Sequence, residues 1–339
     1  MGKKSIRQIS IVTVLGAGNM GTALAQVLAD NGNQVRIWNW EGDHTPLRQI
    51  DKYRENKKYL KGVKLSKNIV PKYNIEEALE NSHVVFLVIP SGAMEHTISF
   101  VARSISHKAV VVDVSKGIEP QSLSIIPHII CKHIRPKLRK NVVTISGPAV
   151  ARQLVEKQFT AMNIASKNKK AINLVIKVLE NKYIRLFPTS DVVGVEVGGS
   201  FKNVYAIAIG MCDGLGFGLN TKAALLTYAL KEISVLMKAM GGRKKTAYEL
   251  AGVGDLIGTS LCADSRNRQF GEYLGKGLSP LVARKRVKQT VEGIDAVKCL
   301  MKLAKKHKLH TPFASMVYHC VTSSKSPAST FQFFLDNLA

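Results

Sequence analysis

Two lysines in unusual settings carry the first signal of chemistry. Lys116 lies in Val114-Ser115-Lys116-Gly117, directly after a β-branched run, and Lys202 lies in Val197-Gly198-Gly199-Ser200-Phe201-Lys202-Asn203, inside a helical stretch. Adjacent glycines within a helix cost about 1 kcal/mol each against alanine, so Gly198 and Gly199 call for close approach of another backbone or of a ligand. A lysine desolvated there, near a second positive charge, has its charged form disfavoured and exchanges a proton near neutral pH; the alternative is a side chain that snorkels to water. Further on, Gly254-Asp255 and Ser265-Arg266-Asn267 fall in a glycine-rich, polar stretch. Arginine forks match phosphate oxygens and asparagine adds neutral donors, which suits a phosphate on a small substrate or on a cofactor. Asp255 equally suits a helix cap, and Arg266 with Arg268 a solvated basic helix.

The strongest local motif lies near the N-terminus. Gly16-Ala17-Gly18-Asn19-Met20-Gly21 follows a strand-like run at residues 9–15 and leads into the helical Thr22-Ala23-Leu24-Ala25. Gly16 permits a tight turn, Gly18 lets backbone approach a pyrophosphate, and Gly21 lets helix and strand pack closely, while the helix start offers free N–H groups. The context defines a dinucleotide fingerprint. At the end of the next strand, where an acid would bind ribose hydroxyls, the chain reads Trp38-Asn39-Trp40-Glu41. No acid stands at the strand end and no arginine awaits a 2′-phosphate; Glu41 suits either the ribose or the start of a turn. NAD and NADP both remain open as cofactor.

These residues must be positioned by elements, and from residue 9 to about 190 short β-branched runs alternate with amphipathic segments. That alternation predicts an α/β fold, a Rossmann-type doubly wound, mostly parallel sheet. Strands are expected at 9–15, 34–38, 84–89, 109–114 and 142–146, with 160–165 and 183–187 extending the sheet. Helices are expected at 22–30 and 168–180, and Asn74 with Glu77 makes a capping box. Pro90-Ser91-Gly92, Lys116 and Ser146-Gly147-Pro148-Ala149 then follow carboxyl ends of strands, where open α/β sheets bind ligands, although each also suits an ordinary loop. Beyond residue 195 strand-like runs disappear. The expected division is a dinucleotide-binding domain at 1–193 and an all-helical C-terminal domain at 194–339, opening with an apolar, buried helix from about 196 to 211. The cleft between two such domains is the default ligand site.

Composition narrows the class. A chain of 339 residues favours two cores, and 45% apolar with 22% charged residues is ordinary globular usage. The five cysteines stand singly with no metal-ligand spacing, so no metal is expected and a reducing, cytoplasmic setting fits. Residues 1–7 are basic but precede a glycine-broken strand rather than an apolar signal segment, and no uninterrupted apolar run reaches membrane-spanning length. No membrane insertion is expected. The net charge of +25 is the outlier. It is spread along the chain, with short clusters at 284–288 and 302–308 and no interleaved aromatics, so it reads as solvated surface compatible with an anionic substrate and no nucleic-acid partner is expected.

Taken in order, GAGNMGTALA at 16–25, VSKGIE at 114–119, SGPAVA at 146–151, VEVGGSFKN at 195–203, Gly254-Asp255 and SRNRQFG at 265–271 resemble the NAD(P)-dependent glycerol-3-phosphate dehydrogenase family, in its bacterial form, over essentially the whole chain. The resemblance implies a homodimer that interconverts dihydroxyacetone phosphate and sn-glycerol 3-phosphate for glycerophospholipid synthesis. By the same resemblance Lys202 is the catalytic lysine and proton donor, Lys116 stabilises the oxyanion and Asp255 orients a lysine or a substrate hydroxyl. Lys116, Gly147, Ala149, Lys202, Asp255, Ser265, Arg266 and Asn267 are its substrate-contacting positions. Gly16, Gly18, Asn19, Met20, Gly21, Trp40, Lys116, Ala151, Arg266 and Glu292 fall where it contacts the nucleotide. Two departures stand out: Trp40 replaces a commonly basic residue, and Ala149 replaces the usual Ser or Thr. The competing readings are another two-domain dehydrogenase of hydroxy or sugar acids, and a dinucleotide-sensing nucleic-acid-binding protein.

Overall fold

A computed structural model describes residues 10–287, 290–323 and 325–338. The basic segment 1–7, Ile9 of the first expected strand and Lys288 of the basic cluster lie outside the described residues. Contacts divide the chain into two units: residues 1–115, 126–145 and 149–190 form the first, and residues 116–125, 146–148 and 191–339 form the second.

The first unit is built on an eight-stranded sheet of β1 (Ile11–Leu15), β2 (Gln34–Trp38), β3 (Ile69–Lys72), β4 (Val84–Leu87), β5 (Val110–Asp113), β6 (Val142–Ser146), β7 (Thr160–Ala165) and β8 (Ile184–Thr189). Their order is β3-β2-β1-β4-β5-β6-β7-β8. β1 pairs in parallel with both β2 and β4, setting Val14 opposite Ile37 and Phe86, so the order reverses there and opens a crevice at the strand ends. Alternate residues sort to the two faces: Val84, Phe86, Val110 and Val112 enter one apolar cluster, and Val85, Leu87 and Val111 the other. Both faces are therefore buried, which is why these strands are almost continuously apolar.

The expected elements appear with shifted ends. The helix after the fingerprint runs Asn19–Asp30, and Asn168 caps the helix Lys169–Leu179. β3 is absent from the sequence reading because Ile69-Val70-Pro71-Lys72 is short and holds a proline; it is tolerated because β3 is an edge strand. The capping box at Asn74 is half formed: Asn74 accepts the Glu77 N–H at 3.0 Å, but the Glu77 carboxylate pairs with Lys72 at 2.8 Å.

In the second unit the described residues from 191 onward form helices only. Its axis is Val192–Gly214, longer than the expected 196–211 because Asp191 accepts the Gly194 N–H at 3.0 Å and starts the helix early. By length and hydropathy this helix qualifies as a membrane span, but 89% of its most apolar window is buried inside the protein, so it is a core helix. Phe201, Tyr205 and Ile209 pack among Leu236, Phe270, Leu300 and Phe313 from the surrounding helices.

Candidate active site

In the first unit the glycine loop has the geometry of a diphosphate cradle. Gly16 adopts φ +109°, and a Cβ there would lie 2.2 Å from the Val88 carbonyl oxygen, so no other residue fits without displacing β4's exit. A Cβ at Gly21 would meet the Gly16 oxygen at 1.8 Å, whereas one at Gly18 would meet nothing within 4 Å. The loop is thus closed behind and open in front. No side chain caps the helix that starts at Asn19, so its first N–H groups stay available to an anion. The residues present fit the diphosphate of a nicotinamide dinucleotide. Met20, Ala149 and Ala151 pack against the core of this unit.

After β2 the chain turns at once. Glu41 is exposed and begins the one-turn helix Glu41–Asp43, and Trp40 is 62% exposed with its ring over Gly42. Asn39 points inward: its Oδ1 accepts the Ala17 N–H at 3.0 Å and its amide donates to the Asp43 carbonyl at 2.7 Å. On the other side, Asn56 donates to the Ala17 carbonyl at 2.9 Å. Sequence reasoning noted Asn39 only as a missing acid and gave no signal for Asn56.

In the second unit three charged side chains meet. Asp255 is the first residue of the helix Asp255–Leu261, yet its carboxylate serves two lysines rather than a cap. Lys202 Nζ binds Asp255 Oδ1 and Lys116 Nζ binds Asp255 Oδ2 at 2.7 Å, while Lys116 also donates to the Gly147 carbonyl at 3.1 Å. Thr259 Oγ1 adds a longer bond to Asp255 at 3.4 Å. Both Lys202 and Asp255 are buried. Burial pushes the Lys202 ammonium down to about 7; Asp255 works against that shift, and the neighbouring Lys116 adds to it.

The two glycines on the Lys202 helix have their explanation here. A Cβ at Gly198 would lie 2.4 Å from the Ala251 carbonyl oxygen, and one at Gly199 would lie 2.3 Å from Ser146 Oγ and 3.6 Å from the Lys116 stem. Their absence lets Lys116, Ser146 and Asp255 crowd onto the same helix as Lys202.

One residue further, a second polar group gathers. Asn203 donates to Glu292 at 3.3 Å, Arg266 lies 3.9 Å from Glu292, and Asn267 accepts the Gly293 N–H at 2.8 Å. Ser265 caps the helix Arg266–Gly275, accepting the Arg268 N–H at 3.4 Å. Arg266 keeps 41% of its side chain exposed, whereas Arg268 turns away to Asp213 at 2.7 Å. The fold therefore brings together Lys116, Gly147, Lys202 and Asp255, and separately Arg266, Asn267, Asn203 and Glu292.

A dinucleotide cradle on a Rossmann-type sheet, with a buried lysine poised near neutrality in a helical unit, defines a nicotinamide-dependent dehydrogenase. Comparison with known proteins narrows this. Residues 11–172 match the N-terminal and residues 191–332 the C-terminal part of the NAD-dependent glycerol-3-phosphate dehydrogenase family, and the chain belongs to that family. It is 40% identical over 308 residues to the glycerol-3-phosphate dehydrogenase, NAD(P)+, of Bacillus thuringiensis, covering 91% of this chain and 90% of that protein. The protein of the same name from Bacillus velezensis is 38% identical over 307 residues, covering 91% and 88%. The crystal structure of glycerol-3-phosphate dehydrogenase from Coxiella burnetii superposes with a TM-score of 0.90 at 31% identity, covering 97% of this chain and 99% of that one.

Proposed function

We propose that this chain interconverts dihydroxyacetone phosphate and sn-glycerol 3-phosphate with NAD(H) or NADP(H). The observation that carries the reading is the buried Lys202–Asp255–Lys116 bridge in a chain of this family. A nicotinamide dinucleotide held by the glycine loop at 16–21 would supply or accept the hydride at C2 of the substrate. Lys202, protonated, gives its proton to the oxygen on C2 as the carbonyl is reduced; neutral, it takes that proton back in the reverse direction. A lysine held near pH 7 exists in both forms under working conditions, which suits a reversible reaction. Lys116 places a second positive charge where the oxygen becomes negative. Asp255 fixes both ammonium groups, one on each carboxylate oxygen.

Arg266 and Asn267 hold the substrate phosphate, the half-exposed guanidinium supplying a fork of donors and Asn267 neutral ones. Gly147, Ala149 and Ser265 complete the substrate contacts. Gly16, Gly18 and Gly21 with Asn19 and Met20 hold the diphosphate end of the dinucleotide, and Trp40, Lys116, Ala151, Arg266 and Glu292 its remaining contacts. The protein acts as a homodimer in the cytoplasm, and its product supplies the glycerol phosphate backbone of phospholipids.

Nicotinamide absorbance during incubation with dihydroxyacetone phosphate, run with NADH and with NADPH, tests the reading. Oxidation of either nucleotide supports it. Turnover confined to hydroxy or sugar acids in a folded, nucleotide-binding preparation overturns it.

A further inference from the structure

The glycine loop is gripped from both sides through one residue. Ala17 is buried between Gly16 and Gly18, its N–H bound to Asn39 Oδ1 at 3.0 Å and its carbonyl to Asn56 Nδ2 at 2.9 Å. Each amide is anchored elsewhere as well. Asn39 donates to the Asp43 carbonyl at 2.7 Å, and Asn56 donates to Thr22 Oγ1 at 2.8 Å and accepts the Tyr59 N–H at 3.2 Å. Asn56 and Thr22 are fully buried and Asn39 nearly so. Buried amide groups are costly to leave unpaired, so each bond holds the next in a single orientation.

We propose that Asn39 and Asn56 are positioning residues for the dinucleotide, pinning Ala17 so that the loop and the first N–H groups of the helix Asn19–Asp30 face the diphosphate before it arrives. Donors already fixed in place lose no freedom on binding, and that is where the affinity comes from. Asn39 also occupies the position after β2 where an acid would take the ribose hydroxyls. Here an amide turned inward holds the loop and leaves that position uncharged. The proposal rests on nicotinamide nucleotides being the cofactors.

Dissociation constants for NADH and NADPH, measured on the full chain by tryptophan fluorescence without substrate, give the test. Asn39→Ala and Asn56→Ala are expected to weaken both nucleotides about ten-fold, the effect of one buried hydrogen bond. At saturating cofactor, kcat and the KM for dihydroxyacetone phosphate stay within about two-fold, because the loop carries no reacting group. Asn39→Asp keeps the acceptor for the Ala17 N–H and loses the donor to the Asp43 carbonyl, so NADH binding recovers part of the roughly ten-fold loss, while NADPH remains weak because the added negative charge opposes its 2′-phosphate. If Asn56→Ala does not fold, Thr22→Val, which removes the acceptor for Asn56 together with the Thr22 hydroxyl's own 3.4 Å bond to the Ala17 carbonyl, carries the same expectation at about three-fold. Unchanged dissociation constants in the alanine variants, or kcat and both KM values moving together, overturn the proposal. Wild-type protein that binds neither nucleotide overturns the dehydrogenase reading itself.

Discussion

Replacing Asp255 by asparagine tests the lysine bridge at its centre. In the native site, burial and Lys116 lower the Lys202 pKa and Asp255 alone raises it, with the balance at about 7. Asparagine keeps the size and shape of the side chain but removes the negative charge. Two unit charges about 4 Å apart attract by about 4 kcal/mol at an effective dielectric of about 20, or about three pK units at about 1.4 kcal/mol each. The amide dipole and admitted water offset part of this, leaving a fall of about two units. At neutral pH the protonated fraction of Lys202 then drops from about one half to about one hundredth, and reductive kcat drops about fifty-fold with it. The sign follows from the role: reduction needs the ammonium, so its rate falls as pH rises through the Lys202 pKa, and the variant's fall moves to lower pH. Oxidation needs the neutral amine, so its rising limb moves the same way and its rate at neutral pH suffers far less. Initial rates in both directions across pH, with circular dichroism to verify folding, provide the assay. A reductive limb that stays near pH 7 or moves upward refutes the argument that Asp255 holds the proton on Lys202.

The remaining expectations concern single contacts. Lys202→Met removes the proton donor and lowers kcat by about 10²- to 10⁴-fold, with the NADH dissociation constant unchanged in a fluorescence titration. Arg266→Ala raises the KM for dihydroxyacetone phosphate by about ten-fold or more with a smaller change in kcat, read from substrate saturation curves. Gly16→Ala drives a Cβ into the Val88 carbonyl oxygen at a positive φ, and calorimetry is expected to find nucleotide binding lost. Glu232→Ala strips acceptors from the buried Phe313 and Ala314 N–H groups and the Tyr205 hydroxyl, at 2.8, 3.0 and 2.9 Å, and is expected to destabilise the chain by about 3 kcal/mol in urea titration.

The local half of this protein was legible in its residues. The period of the β-branched runs located the strands because burial on both faces demands continuous apolar side chains, and β3 escaped because Pro71 breaks that pattern where only an edge tolerates it. The fingerprint at 16–21 and the Gly198-Gly199 pair were legible because glycine in such places answers a steric demand set by neighbours a few ångströms away. Other features depended on residues distant in the chain. Asp255 lies 53 residues from Lys202 and 139 from Lys116, and from sequence it was as good a helix cap as a counter-ion. Only tertiary packing decides which, since a carboxylate buried beside two ammonium groups is held by charges that no local period encodes. Asn39 and Asn56 are the same case in neutral form. An asparagine suits a turn or a loop anywhere along a chain, and its role is set by which backbone group the fold brings within about 3 Å of its amide.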